Sequence, residues 1–217
     1  MNDGYLTPAG YGEAEFIEKH SRFIGRVWPV ETEEEALSIL KDIRAKHWDA
    51  THNVYAYILR ENGTMRYSDD GEPQGTSGMP TLTVFRGQEV QNVLCIVTRY
   101  FGGILLGTGG LVRAYSQTAK LALEAAGLAR VRLWEELLTA CPYSLYERVK
   151  RELDAAGAVI TNTDFGADVS MEALLEKGKS EALNARLQEL SAGTVEALVM
   201  GETYRAVKLA DGSADIG

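Results

Sequence analysis

A chain of 217 residues with 45% hydrophobic residues is long enough for one large or two modest globular domains. Its formal charge of −9 disfavours general, salt-driven binding to nucleic acid, but residues 1–132 hold 14 Lys and Arg against 16 Asp and Glu, which leaves room for a local basic site. No apolar run approaches transmembrane length, and no basic-then-apolar leader begins the chain, so we expect a cytoplasmic protein with no membrane partner.

The first half of the chain is predicted to alternate between strands and helices. Residue alternation and one fully apolar run predict strands at 13–18, 22–30, 51–59, 64–67 and 91–98. Helical spacing predicts helices at 33–48, 79–85 and 109–126. Thr32 and Glu35 form a capping box for the first helix, and Asn62-Gly63 is a hairpin turn. Residues 1–12 are predicted to be a loose lead-in.

A second pattern begins after a predicted boundary at 128–136. It consists of strands at 137–141, 158–165, 168–175 and 194–204, with helices at 145–156 and 179–190. This β-α-β-β-α-β order predicts a ferredoxin-like sandwich. The expected organisation is therefore an α+β chain with domains at 1–132 and 133–205, followed by a flexible tail at 206–217. Cys95 and Cys141 fall in strands and are expected to be buried, reduced thiols.

The stretch from Val93 to Tyr115, VLCIVTRYFGGILLGTGGLVRAY, reads as a buried strand, a glycine-rich turn and a helix. A helix start with flanking arginines suits an anion or phosphate, because its N–H groups are unpaired and carry partial positive charge. The alternative is a tight strand-to-helix crossing in which glycine permits close packing. The spacing fits neither a P-loop nor a Rossmann fingerprint. The candidate residues are Arg99, Tyr100, Gly102, Gly103, Gly107, Gly109, Gly110 and Arg113, with Tyr100 and Phe101 open to either base stacking or core packing.

The loop Ser68 to Gly78, SDDGEPQGTSG, supplies a second set of candidates. Its three carboxylates could hold Mg²⁺ or could belong to an ordinary acidic turn, and the histidines show no metal-ligand spacing, so no metal or cofactor is predicted. His52 is either a site residue or a strand-end residue, and no base is placed for the loop hydroxyls. The candidate rim residues are His52, Asp69, Asp70, Glu72, Thr76 and Ser77. If Arg99 pairs with one of these carboxylates, the two motifs form mainly a structural clasp.

Four motifs in order, SRFIG, HNVYAYIL, SDDGEPQGTSGMP and RYFGGILLGTGGLVRAY, resemble the diagnostic segments of the IMPACT family over about residues 10–130. The resemblance implies a first domain with the fold of ribosomal protein S5 domain 2, shared with elongation factor G domain IV, a sheet with helices on one face. The acidic second half looks like the extra domain of bacterial members, which is similar to the C-terminal ferredoxin-like domains of elongation factor G. Val93 to Tyr115 is then expected to form the floor of a shared pocket, with the acidic loop as its rim.

Two functions follow from the motifs and the resemblance. The first is a non-enzymatic cytoplasmic protein that regulates translation by binding RNA or a ribosome-associated protein. Eukaryotic members act through a kinase-activating partner bound mainly by an N-terminal domain, which is not expected here, so that role is not transferred. The alternative is an enzyme or sensor for a phosphorylated small molecule, with loop carboxylates on Mg²⁺, the glycine turn on phosphate, and His52 or Asp70 as base.

Overall fold

The computed structural model describes residues 4–209, which divide into two compact units. Residues 5–130 together with 206–209 form one unit, and residues 131–205, with residue 4, form the other. No helix within residues 4–209 is long and apolar enough to cross a membrane.

The first unit is built on a five-stranded antiparallel sheet. Its elements in chain order are β1 Tyr5–Pro8, β2 Gly12–Glu18, β3 Ser21–Pro29, α1 Glu33–Lys46, β4 His52–Ile58, β5 Met65–Ser68, α2 Gly78–Gly87, β6 Val93–Tyr100 and α3 Gly107–Ala126. The sheet order is β2-β3-β6-β4-β5. The Thr32 hydroxyl accepts the N–H of Glu35 and the Glu35 carboxylate accepts the N–H of Glu31, so the predicted start of α1 is confirmed.

The apolar run of β6 is buried on both faces, as predicted for a central strand. Val93, Cys95 and Val97 join the core under α2 and α3, while Leu94 and Ile96 join a second core under α1. The expectation of helices on a single face is therefore wrong for α1, which covers the opposite face. Its apolar positions need a partner, and the second apolar face of β6 supplies one.

The second unit has the predicted β-α-β-β-α-β order, which confirms the α+β fold class. Its elements are β7 Leu128–Cys141, α4 Tyr146–Ala155, β8 Val159–Phe165, β9 Val169–Glu176, α5 Ser180–Ser191 and β10 Ala197–Lys208. Strand β7 pairs with β9 and with β10, and β9 pairs with β8, which gives the order β10-β7-β9-β8. The core contains Leu137, Val149, Leu153, Met171 and Leu183.

Three predicted irregular segments contain strand instead. Residues 5–8 of the expected lead-in form β1, which pairs with β7. The expected boundary at 128–136 lies inside β7, because Ala129 and Val131 continue its alternating burial. Strand β10 runs to Lys208, within the predicted tail, and Leu209 still donates to the carbonyl of Leu128. The rest of that tail, residues 210–217, lies outside the described residues.

Candidate functional site

The glycine-rich segment and the acidic loop meet at a buried cluster, which we call the clasp and define as Ser21, His52, Glu72, Arg99 and Tyr115. Nη1 of Arg99 lies 2.6 Å from Oε1 of Glu72, and the same oxygen accepts the Tyr115 hydroxyl at 2.8 Å. Nη2 of Arg99 donates to the Ser21 hydroxyl at 3.3 Å. The pairing of Arg99 with Glu72 therefore fits the interpretation in which the two motifs form a structural clasp.

Strand alternation places Arg99 in this cluster. It follows Val93, Cys95 and Val97 on the face covered by α2 and α3, where Tyr115 lies about two turns into α3. The side chains of Arg99 and Glu72 are 6% and 3% exposed, so the pair is desolvated and its hydrogen bonds are needed to offset that cost. Burial, and then the neighbouring Glu72 carboxylate, raise the pKa of Tyr115, so its phenol stays protonated and donates.

His52 joins the clasp to the loop backbone. Its Nδ1 lies 2.8 Å from the carbonyl oxygen of Asp70, which can only accept, so Nδ1 carries the proton. Its Nε2 lies 3.7 Å from Oε2 of Glu72. Asp70 itself accepts the backbone N–H of Asn53 at 2.7 Å and pairs with Arg44 at 2.6 Å. His52 and Asp70 are thus held by bonds that fix the loop on β4.

Asp69 ties the loop to the start of α2. Its carboxylate accepts the backbone N–H groups of Gly75, Ser77 and Gly78, at 2.8, 3.1 and 2.8 Å, and the Ser77 hydroxyl at 2.6 Å. These donors include the N–H groups that a helix start leaves without intrahelical partners. A carboxylate at that position also interacts favourably with the helix dipole. Asp69 therefore acts as a cap.

The loop hydroxyls of Thr76 and Ser77 are buried and donate hydrogen bonds within the loop. The Thr76 hydroxyl donates to the carbonyl of Pro73 at 2.6 Å, and Ser77 is fully buried. Within residues 4–209, no group of three or more His, Cys, Asp or Glu side chains is placed to hold a metal ion. This arrangement gives no support to the alternative in which the loop carboxylates hold Mg²⁺. Both hydroxyls are buried and hydrogen-bonded, so neither is accessible to a substrate in this conformation.

Asp69 should make stability depend on pH in the acid range. Burial alone would raise its pKa, but the Ser77 hydroxyl and the backbone N–H groups of Gly75, Gly78 and Ser77 together lower it below its ordinary value. The stabilisation is present above the unfolded-state pKa of about 3.9 and is lost as pH falls through the lower folded-state pKa. We expect Asp69→Asn to cost about 1–3 kcal/mol at neutral pH and to flatten the stability loss below about pH 4.

Urea unfolding across the acid range checks this prediction. Asp42→Asn is a matched control, because Asp42 is exposed on α1. An Asp69→Asn variant with the acid profile of the wild-type protein would contradict the role given to this carboxylate.

The five predicted glycines fall into two groups. A Cβ at Gly102 would lie 2.0–2.3 Å from backbone atoms of His20 and Ser21, so this glycine permits a close chain crossing. A Cβ at Gly103 or Gly107 would meet nothing within 4 Å, and Gly107 has φ +72° where the chain turns into α3. Gly109 is exposed, and Gly110 lies next to Leu106. The close crossing is therefore found at Gly102, and the anion-binding alternative for the rest of the segment stays a prediction.

The start of α3 has no side-chain cap, in contrast to the start of α2, which Asp69 caps. Leu106 precedes the helix and makes no side-chain hydrogen bond to it, and the first turn has no acidic residue. Arg113 is exposed, and its Nη1 lies 3.7 Å from the position of a Cβ built on Gly109. No carboxylate partner of Arg113 is found among residues 4–209. The Arg113 guanidinium therefore lies beside the uncapped N–H groups of the first turn of α3.

Tyr100 and Phe101 differ in their surroundings. The Tyr100 hydroxyl donates to Asp49 at 3.2 Å and shares a 2.9 Å hydrogen bond with Nδ1 of His47. Phe101 is 46% exposed, with the Arg99 guanidinium 5.6 Å from its ring centre. Tyr100 is thus held in place by its neighbours, and Phe101 keeps a ring face available to a partner.

The sequence interpretation missed Ser21 and Tyr115 as clasp members, and it missed a groove beside Arg113. The helical spacing of Arg113, Gln117 and Lys120 was the available signal, since these positions share one helix face. The groove is lined by Phe16, Glu18, Val84, Gly110, Arg113, Ala114, Ser116, Gln117 and Lys120.

Fold and site together define a two-domain α+β protein whose two characteristic loops are joined by a buried ion-pair clasp beside an open helix start. The chain belongs to the IMPACT family, since the Impact N-terminal domain matches residues 19–123 and a domain of unknown function, DUF1949, matches residues 139–194.

Relatives extend over most of the chain. IMPACT family member YvyE of Bacillus subtilis is 34% identical over 89% of each chain, and YigZ of Escherichia coli is 34% identical over 92% of this chain and all of its own. A crystal structure described as that of a hypothetical protein has a TM-score of 0.59 at 32% identity and covers 93% of this chain and 99% of its own. The match to these bacterial relatives covers both units.

Proposed function

We propose that this chain is a non-enzymatic cytoplasmic protein that acts in translation by binding RNA through the start of α3. The observation that carries the proposal is the open helix start, exposed and without a side-chain cap, beside Arg113. Such a site favours a phosphate group, because N–H donors, the helix dipole and a guanidinium act in the same direction. The resemblance of both halves to parts of a translation factor supports an RNA of the translation apparatus as the partner.

The basic surface continues along α3. Lys120 lies on the same helix face as Arg113, two turns further on, and within residues 4–209 it pairs with Glu124 in an exposed contact at 4.0 Å. An exposed pair of this kind contributes little and gives way easily to a phosphate. Phe101 offers an exposed ring on which a base could stack, and stacking tolerates any base sequence. A short phosphate-binding stripe is compatible with a chain that is acidic overall.

The clasp supports a binding role over a catalytic one. Glu72, Arg99 and Tyr115 are buried, with Arg99 and Tyr115 both donating to the Glu72 carboxylate, and His52 and Asp70 are bonded to the loop and to β4. A general base needs reach to a substrate proton, and these groups lack it in this arrangement. The clasp is suited to holding the glycine segment in one conformation, which lowers the entropy that binding would otherwise cost.

The test is the salt dependence of RNA binding. Fluorescence anisotropy with a labelled RNA hairpin, over a series of KCl concentrations, is expected to give a linear decrease of log K with log salt. Arg113→Ala should weaken binding and reduce the magnitude of that slope by about one, because one phosphate contact is lost. Arg113→Ala with Lys120→Ala should reduce it by about two.

Lys41→Ala is the charge-matched control, because Lys41 is exposed on α1, which packs against the opposite face of the sheet. Its binding curve should follow the wild-type one. RNA binding at background level in low salt, or equal slopes for the control and for Arg113→Ala, would sink the proposal.

A further inference from the structure

An open groove with a volume of about 620 Å³ lies between β2, α2 and α3. Volumes of several hundred cubic ångströms are usual for small-molecule sites. Its apolar lining comes from Phe16, Val84 and Ala114, and its polar groups from Glu18, Arg113, Ser116, Gln117 and Lys120. It begins at Gly110, within the first turn of α3.

The walls of the groove are regular elements with their own buried contacts. Phe16 and Val84 pack against the main core, and Ala114 is 1% exposed within it. Side chains on helices and strands that are fixed by packing are held more precisely than those on loops. The groove is therefore largely formed before a ligand arrives, which limits the ordering cost of binding.

The lining selects a ligand that is partly flat and apolar and partly anionic. The aromatic ring of Phe16 and the aliphatic surface of Val84 and Ala114 suit a planar ring system. The cationic side chains of Arg113 and Lys120 favour a ligand that carries negative charge, and Arg113 is the cation beside the open helix start. A lipid chain would cover the half-buried Glu18 carboxylate without giving it a hydrogen-bond partner, at a cost in free energy.

We propose that this groove binds a nucleotide whose base carries an exocyclic amino group. The base lies in the groove, and the phosphate of the nucleotide binds Arg113. The inference rests on the proposed function and adds to it a preference among bases. The Glu18 carboxylate only accepts hydrogen bonds, so it favours the amino groups of adenine, cytosine and guanine. Uracil has no amino group, and the carbonyl oxygens on either side of its single N3–H donor repel a carboxylate. Gln117 and Ser116 can pair with the remaining base edges.

Two arms of an experiment separate a free nucleotide from a nucleotide unit of RNA. Thermal shifts are measured with AMP, CMP, UMP and, as a ligand without a base, ribose 5-phosphate. Labelled oligo(C) and oligo(U) are titrated by anisotropy. We expect larger shifts with AMP and CMP than with UMP or ribose 5-phosphate, since binding to the native state raises its melting temperature. Oligo(C) should bind about tenfold more tightly than oligo(U).

Two variants locate the effect. Ser116→Trp fills the groove from a half-buried position on α3 and should remove the base preference, while Thr83→Trp, exposed on α2 and outside the groove, should retain it. Glu18→Gln exchanges an acceptor for an amide that both donates and accepts, and it should abolish the preference for oligo(C) over oligo(U). Melting of each apo variant shows that it is folded.

The outcomes distinguish this inference from the proposed function. RNA binding with no base preference, or with a preference that Ser116→Trp leaves intact, overturns the groove as a base site and keeps α3 as a phosphate site. Binding of AMP and CMP without RNA binding overturns the proposed function and keeps the groove as a site for the free nucleotide. Absence of both overturns both.

Discussion

Arg99→Leu is expected to lower the free energy of unfolding by about 3–5 kcal/mol, because it leaves the Glu72 carboxylate buried without its charged partner. Glu72 is 3% exposed at its side chain, and its other close partners are the Tyr115 hydroxyl and His52. A loss of this size lowers the melting temperature by several degrees or more. Urea unfolding of the variant and the wild-type protein measures the difference.

Two further variants separate the buried charge from the bulk of the side chain. Arg113→Leu makes the same substitution at an exposed position and should change stability by no more than about 0.5 kcal/mol. Adding Glu72→Leu to Arg99→Leu removes both charges and should recover part of the loss, because apolar pairs can replace buried ion pairs. A single Arg99→Leu variant as stable as the wild-type protein would rule out the clasp as a source of stability.

Gly102→Ala is expected to cost about 3 kcal/mol, at the upper end of overpacking changes. The added Cβ would lie 2.0 Å from the carbonyl carbon of His20 and 2.3 Å from the amide nitrogen of Ser21, and backbone cannot move aside as a side chain can. The N–H of Gly102 also donates to the Ser21 hydroxyl, which receives Arg99 as well. Displacing this crossing therefore also weakens the clasp, and thermal unfolding reports both effects.

Gly109→Ala should have the opposite sign. Gly109 has helical backbone, and a Cβ there would meet only Nη1 of Arg113, at an ordinary 3.7 Å. Replacing a helical glycine with alanine stabilises by about 0.5–1 kcal/mol. If the two variants instead shifted stability in the same direction, the division of the segment into a packed crossing and an open helix start would be incorrect.

Residue periodicity was enough to predict most elements of the fold. The apolar run of β6, the cap at Thr32 and the strand predicted at 22–30 each depend on neighbours in sequence, and each is confirmed. The face chosen by α1 and the pairing of β1 depend on distant partners. A helix pattern shows that one side is apolar but not which side of the sheet it will cover.

The site was predictable in composition but not in pairing. The sequence placed Arg99 near the acidic loop and left three carboxylates as partners. The strand register pairs His52 with Arg99, and the fold of the loop brings Glu72, rather than Asp69 or Asp70, to the guanidinium. The α3 side of the groove had a signal in the helical spacing of Arg113, Gln117 and Lys120, but its other walls come from β2 and α2, far away in the chain, and no local pattern predicts that they meet.

An NMR titration of the backbone amides with an RNA hairpin tests the central claim most directly. The amides of Gly109 and Gly110 lie in the first turn of α3, which has no side-chain cap, whereas those of Gly75 and Gly78 are already bonded to Asp69. We expect the Gly109 and Gly110 resonances to shift on addition of RNA and those of Gly75 and Gly78 to stay in place. Shifts confined to Gly75 and Gly78, or no shift at Gly109 and Gly110, would contradict the account.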